Sequence, residues 1–252
     1  MIYKSNKMNI YYKKYGNNKN TILILPGWGD TRKTFINIIN LLKDKYTIYI
    51  IDYPGFGNSP LPTNNLTIYD YAETIKELIN YLDINPIIIA HSFGGRISSL
   101  LLSKYNLNIK KLILIDVAGI KRKSFKIFLR ERIYKILKLL INILPKRKKL
   151  YYHKKLLNTF GSSDYQNLPD TMKKTFQNII QVDLRNYYKN INIETLIIWG
   201  EKDQDTPLKD AYYLHKHIKN SGLIIIKNAS HFSYLENQLI INKILTNYLL
   251  KQ

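Results

Sequence analysis

The apolar run Ile87-Ile88-Ile89-Ala90 breaks off abruptly into His91-Ser92-Phe93-Gly94-Gly95, and this junction restricts the fold more than any other stretch. The run reads as a buried strand and residues 94–105 as a helix, so the chain must reverse its local geometry within a few residues. Bulky side chains two positions either side of Ser92 would collide in so sharp a turn. Ala90 and Gly94 meet that steric demand, and the turn lifts the Ser92 hydroxyl out of the backbone, where a base can reach it. A tight turn carrying an incidental serine would leave the same string. The rest of the chain has to separate the two.

The chain repeats the same strand-then-helix alternation along most of its length. Short apolar, β-branched-rich runs at residues 21–25, 47–51, 87–90, 112–115, 196–199 and 223–226 predict strands buried on both faces. Residues 10–14 predict an antiparallel strand near the start. Helices are predicted at 32–45, 68–82, 94–105, 208–219 and 235–250. This order implies an α/β fold, a mostly parallel sheet with helices on both faces. At 252 residues, without a single cysteine, the chain can bury a sizeable core with no disulfide or cysteine-ligated metal.

The alternation stops after Asp116 and resumes near Thr195. The interval opens with Phe125, Phe128, Leu129, Ile133, Ile136, Leu137, Leu140 and Leu144 at helical spacing along one face, a stripe expected to pack onto the core. Pro145 closes that helix. Residues 146–170 read as loops and short helices, with a further helix from Thr171.

Charge separates this interval from the rest. The chain carries a net +21, of which +13 lies between residues 121 and 185, with 17 Lys and Arg against 4 Asp and Glu. Such a concentration points to an anionic partner, whereas a bias towards lysine at solvated positions would spread the charge evenly. No nucleic-acid motif accompanies it. No stretch approaches the roughly 18 apolar residues that span a bilayer, and the first residues lack a signal peptide's apolar region. A cytoplasmic protein is expected, with peripheral membrane contact left open.

The string Ala90-His91-Ser92-Phe93-Gly94 resembles the nucleophile elbow of the α/β-hydrolase superfamily, with Ala90 in place of the commoner first glycine. The strand Leu196-Ile197-Ile198-Trp199-Gly200 is followed by Glu-Lys-Asp-Gln-Asp-Thr-Pro, similar to the superfamily's acid loop, with Asp203 in the acid position and Asp205 its nearest rival. His231 follows the last strand, where the superfamily places its general base. The order Ser92, Asp203, His231 is the order of this superfamily and differs from those of chymotrypsin and subtilisin. Leu25-Pro26-Gly27-Trp28-Gly29-Asp30 resembles the oxyanion loop, with Pro26 replacing the usual histidine. The resemblance assigns the oxyanion hole to the backbone N–H groups of Trp28 and Phe93. Asp52 to Ser59 resembles the glycine- and aromatic-rich turn after the next strand.

The resemblance thus implies an α/β-hydrolase core domain over 1–118 and 194–252, with a helical cap inserted over 119–193. It implies a serine hydrolase that cleaves a small-molecule carboxylic ester or thioester through an acyl-enzyme, with no metal or organic cofactor. The LPGWGD loop and the size of the cap are similar to those of the carboxylesterase and pimeloyl-carrier-protein methyl ester esterase group. An acidic acyl carrier protein would then be the partner of the basic cap, with Arg130, Arg132 and Arg147 as contact candidates. A C–C bond hydrolase or lyase using the same triad is the alternative, and a non-catalytic basic scaffold stands behind it.

Overall fold

A computed structural model describes residues 1–121, 125–160, 163–166 and 168–250, leaving out the side chains of 125–128, 130, 147 and several neighbours on the same helices. In chain order, the first half runs β1 (Ile2–Lys4), β2 (Asn9–Tyr15), β3 (Thr21–Leu25), α1 (Ile36–Leu42), β4 (Thr47–Asp52), α2 (Ile68–Tyr81), β5 (Ile87–His91), α3 (Phe93–Lys104) and β6 (Leu112–Ile115). Five helices follow: α4 (Phe125–Ile143), α5 (Lys146–Phe160), α6 (Ser163–Gln166), α7 (Asp170–Ile180) and α8 (Arg185–Lys189). The chain then resumes its alternation with β7 (Thr195–Gly200), α9 (Leu208–His217), β8 (Ser221–Ile226), α10 (Ser233–Glu236) and α11 (Gln238–Leu250).

The eight strands form one sheet in the order β1-β2-β4-β3-β5-β6-β7-β8. From β4 to β8 all neighbours are parallel, while β1 and β2 pair antiparallel at one edge. The short β1 was not anticipated from the sequence. The apolar runs divide by alternate residues, as strands covered on both faces require. Leu23, Leu25, Ile88, Ala90, Ile197 and Trp199 face one core, which α2, α3 and α9 cover. Ile22, Ile24, Ile87, Ile89, Leu196 and Ile198 face the other, under α1 and α11. Helix α2 starts on a capping box, in which Thr67 and Asp70 each accept from the other's backbone N–H, satisfying two otherwise orphaned donors.

The segment between β6 and β7 departs from expectation twice. Residues 146–170 were expected as loops and short helices, yet 146–160 form one continuous helix, α5, which begins directly after Pro145. Lys148 and Lys149 donate their N–H groups to the Pro145 carbonyl, so the proline that ends α4 also opens α5. Proline suits a helix start, where its missing N–H costs nothing, and lysine is a good helix former despite its polarity. The second departure concerns the apolar stripe of α4. Leu129, Ile133, Ile136, Leu137 and Leu140 are exposed, whereas Ile141 is buried. Helices α4 and α5 pack chiefly on each other. By contrast, Met172, Ile179, Leu184 and Tyr188 on and around α7 and α8 are buried, and the Tyr188 hydroxyl donates to the Ala118 carbonyl at 2.6 Å.

Candidate active site

Parallel strands deliver their C-terminal ends to one edge of the sheet, and the chemistry-bearing residues collect there. The loop after β3 contributes Trp28, the turn after β5 Ser92, the end of β6 Asp116, the loop after β7 Asp203 and Thr206, and the loop after β8 His231. A cavity of about 300 Å³ opens at this edge, walled by Trp28, Phe93, Ala118, Phe176, Ile179 and Ile180, with Ser92 and His231 exposed to it. Phe176, Ile179 and Ile180 belong to α7. The segment between β6 and β7 therefore supplies one wall.

Ser92 sits at φ 45° and ψ −107°, a conformation that costs a non-glycine residue of the order of 1–3 kcal/mol and persists only when its surroundings fix it. Those surroundings are visible. The Gly94 N–H donates to the Pro26 carbonyl at 3.0 Å, and a Cβ at Gly94 would lie 2.0 Å from the Leu25 carbonyl oxygen. Ala90 is fully buried beneath the turn. Any larger side chain at Gly94 would push α3 off the end of β3.

The three residues expected from the sequence come together in one chain of contacts. Ser92 Oγ lies 2.9 Å from His231 Nε2, and His231 Nδ1 lies 2.8 Å from Asp203 Oδ2. Asp203 is itself fixed: Oδ1 accepts from the N–H groups of Asp205 and Thr206, both at 2.8 Å, and Oδ2 accepts from the Thr206 hydroxyl at 2.5 Å. Burial penalises the Asp203 charge, but the hydrogen bonds from His231 and Thr206 outweigh it and hold the carboxyl below its usual 3.8. Burial likewise opposes the His231 imidazolium, and the hydrogen bond and charge of Asp203 overcome it, raising His231 above its usual 6.5. Asp205, the rival acid, donates its backbone N–H to Asp203 Oδ1, and its carboxylate adds negative charge near His231.

Trp28 and Phe93 line the cavity beside Ser92. Neither backbone N–H has a protein acceptor among the described residues. The Trp28 ring meets Phe56, Phe93 and Phe176 with centroids 5.1, 5.1 and 5.4 Å away, so the residue also forms the aromatic wall. His91 lies behind His231, with Nε2 donating to the His231 carbonyl at 2.9 Å and its ring in contact with Phe232 and Tyr234. Its Nδ1 is 3.2 Å from Asp30 Oδ2, outside hydrogen-bond geometry.

Asp203, Asp205 and His231 bring one donor atom each to within 4.8 Å of one another. In this arrangement His231 Nδ1 is committed to Asp203 and Nε2 to Ser92, which leaves no imidazole lone pair for a metal.

Sequence reading missed Thr206, Arg96 and Asp116. Arg96 Nη1 donates to the carbonyls of Ile179 and Val182 at 3.2 Å each, tying the end of α7 to α3. Asp116, buried at the end of β6, accepts the Gly200 N–H on Oδ1 at 2.7 Å, and on Oδ2 the Ser233 hydroxyl at 2.6 Å and N–H at 3.2 Å. One carboxylate thereby clamps the loop that carries Asp203 to the helix that follows His231. Burial pushes its pKa up to about 6. Replacing Asp116 with alanine strands two buried N–H groups at about 1–3 kcal/mol each, so urea unfolding is expected to show a loss of roughly 2–6 kcal/mol.

Arg132 is exposed on α4. Arg130 lies on α4 and Arg147 on α5, but their side chains fall outside the described residues.

Comparisons with known proteins bear on the fold and family of the chain. The chain is 26% identical to the pimeloyl-[acyl-carrier protein] methyl ester esterase of Wigglesworthia glossinidia brevipalpis, over 96% of this chain and 98% of that protein. It is also 26% identical to the uncharacterized hydrolase YugF of Bacillus subtilis, over 96% and 94% of the two chains. An esterase from Exiguobacterium antarcticum superposes with a TM-score of 0.73 at 23% identity, covering 96% of this chain and 95% of that one. The family model described as alpha/beta hydrolase fold matches residues 20–238, and the chain belongs to that family.

Proposed function

We propose that the protein hydrolyses carboxylic esters through an acyl-enzyme formed on Ser92. The observation that carries this reading is the unbroken chain from Ser92 Oγ through both nitrogens of His231 to a fixed Asp203, with the serine facing a largely apolar cavity. His231 Nε2 takes the Ser92 proton as Oγ attacks the acyl carbon, and the carbonyl electrons move onto oxygen. The N–H groups of Trp28 and Phe93 hold that oxyanion, each such donor contributing about 3 kcal/mol to the transition state. Collapse breaks the C–O bond, and the departing alkoxide takes the proton from His231. Water then repeats the sequence on the acyl-serine, releasing the acid and restoring the hydroxyl. Asp203 holds the tautomer and stabilises the imidazolium.

This reading sets the sign of the pH dependence. Protonated His231 cannot accept the serine proton, and its pKa is raised. The acidic limb of kcat/KM is therefore expected to have its midpoint above 6.5, with activity lost as the pH falls through it. A panel of p-nitrophenyl esters of increasing acyl length tests the reaction class: a burst of p-nitrophenol followed by steady turnover is expected, with rates falling once the chain outgrows the cavity. Absence of turnover on every ester would shift the assignment towards a C–C bond hydrolase or lyase.

A second reading has the ester presented by an acidic acyl carrier protein, as the names of several relatives state for those proteins. The net +13 between residues 121 and 185 favours it. Faster hydrolysis of a carrier-bound methyl ester than of the free ester, lost at high salt, is its expected result. Equal rates at all salt concentrations would exclude it.

A further inference from the structure

We propose that the hairpin of α4 and α5 is a docking surface for a lipid bilayer bearing anionic headgroups. Ile136, Leu139, Leu140, Ile143, Leu150 and Tyr151 are each more than half exposed, with Ile143 at 81% and Leu150 at 78%. Scattered apolar residues are normal on a soluble surface, but so many within sixteen consecutive residues form a patch that calls for a partner. The hairpin's own packing does not cover them: α4 and α5 meet chiefly each other, and among the described side chains Ile141 and Leu156 are the ones they bury.

Charge and shape together select the occupant. Lys135, Lys138, Lys148 and Lys155 are exposed around the same residues. A helix pair that interleaves leucine and isoleucine with lysine suits the plane of a membrane, the aliphatic groups sinking among acyl chains and the ammonium groups meeting phosphates. Tyr151 and Tyr152 pack edge to face with centroids 5.3 Å apart, and tyrosine favours the boundary between headgroup and chain because it has an apolar ring and a polar end. An acidic protein would answer the lysines but leave the aliphatic residues against charge. A second copy would set two cationic hairpins against each other, and a nucleic acid offers no aliphatic surface. No helix among the described residues is long and apolar enough to cross a membrane. The contact is therefore peripheral.

The full chain is tested by flotation with vesicles of phosphatidylcholine alone and of phosphatidylcholine mixed equally with phosphatidylglycerol. Partitioning is expected to be at least about tenfold greater on the mixed vesicles, since each lysine near an anionic surface contributes roughly fivefold. Ile143→Ser with Leu150→Ser should lower binding by a further order of magnitude, and Lys135→Gln with Lys138→Gln by roughly tenfold or more. All these positions are exposed and outside the catalytic site, so hydrolysis of a soluble p-nitrophenyl ester should stay unchanged in both variants. That control separates failure of this proposal from failure of the esterase reading.

Lack of binding to either vesicle would overturn the proposal. So would binding that salt abolishes but the serine substitutions leave intact, because the apolar residues would then play no part. A concentration-dependent dimer dispersed by the serine substitutions, or capture of an acidic acyl carrier protein without vesicle binding, would assign the surface elsewhere and overturn it too.

Discussion

Ser92→Ala is expected to lower kcat/KM for an activated ester by about 10⁶-fold while leaving the folded structure intact. Alanine at this position inherits the same positive φ as serine, so the strain of the turn is unchanged. The buried hydrogen bonds around the elbow are made by backbone groups, including Gly94 N–H to Pro26 and Ala118 N–H to the Ser92 carbonyl. Only the hydroxyl facing His231 is lost. Steady-state kinetics on purified protein, beside a thermal unfolding curve, separates the two effects. Because nucleophile and base act as one unit in the proposed mechanism, adding His231→Ala to Ser92→Ala should cost almost nothing further. Two full, additive losses would mean that they work independently.

Asp203→Asn is expected to cost about 10⁴-fold, through the tautomer of its neighbour. Asp203 accepts four hydrogen bonds, from Asp205 N–H, Thr206 N–H, the Thr206 hydroxyl and His231 Nδ1–H. An asparagine has one oxygen for that work and must turn an amide N–H towards one side. With the two backbone donors holding its oxygen, the amide faces His231 Nδ1, which must then accept. The proton moves to Nε2, the atom beside Ser92 Oγ that takes the serine proton in the proposed mechanism. The same substitution removes the charge that raises the His231 pKa, so the acidic limb of kcat/KM should move to lower pH. A rate loss without that movement would indicate collapse of the loop rather than loss of the carboxylate.

The sheet could be read from the sequence because its strands are covered on both faces, which turns six of them into unbroken apolar runs. The convergence of Ser92, Asp203 and His231 was legible for a related reason: each lies in the turn or loop after such a strand, so its address is a position along the chain. Asp116, Thr206 and His91 act through space instead. Asp116 reaches Gly200 and Ser233, 84 and 117 residues away, and nothing local marks an aspartate at a strand end as a clamp. Helix α5 was hidden by its four-residue basic start, which resembles a solvated loop until Pro145 is recognised as a helix opening. The stripe on α4 shows the limit of periodicity. Spacing identifies an apolar face, but not what covers it, and here Ile136 and Leu140 meet solvent rather than the core.

The assignment of Ser92 as nucleophile is tested most directly by mass spectrometry of the folded protein after reaction with a fluorophosphonate, with the adduct mapped to a peptide. One adduct on Ser92 is expected, absent in Ser92→Ala and formed far more slowly in His231→Ala. A folded protein that takes no label, or takes it on a residue other than Ser92, would contradict that assignment.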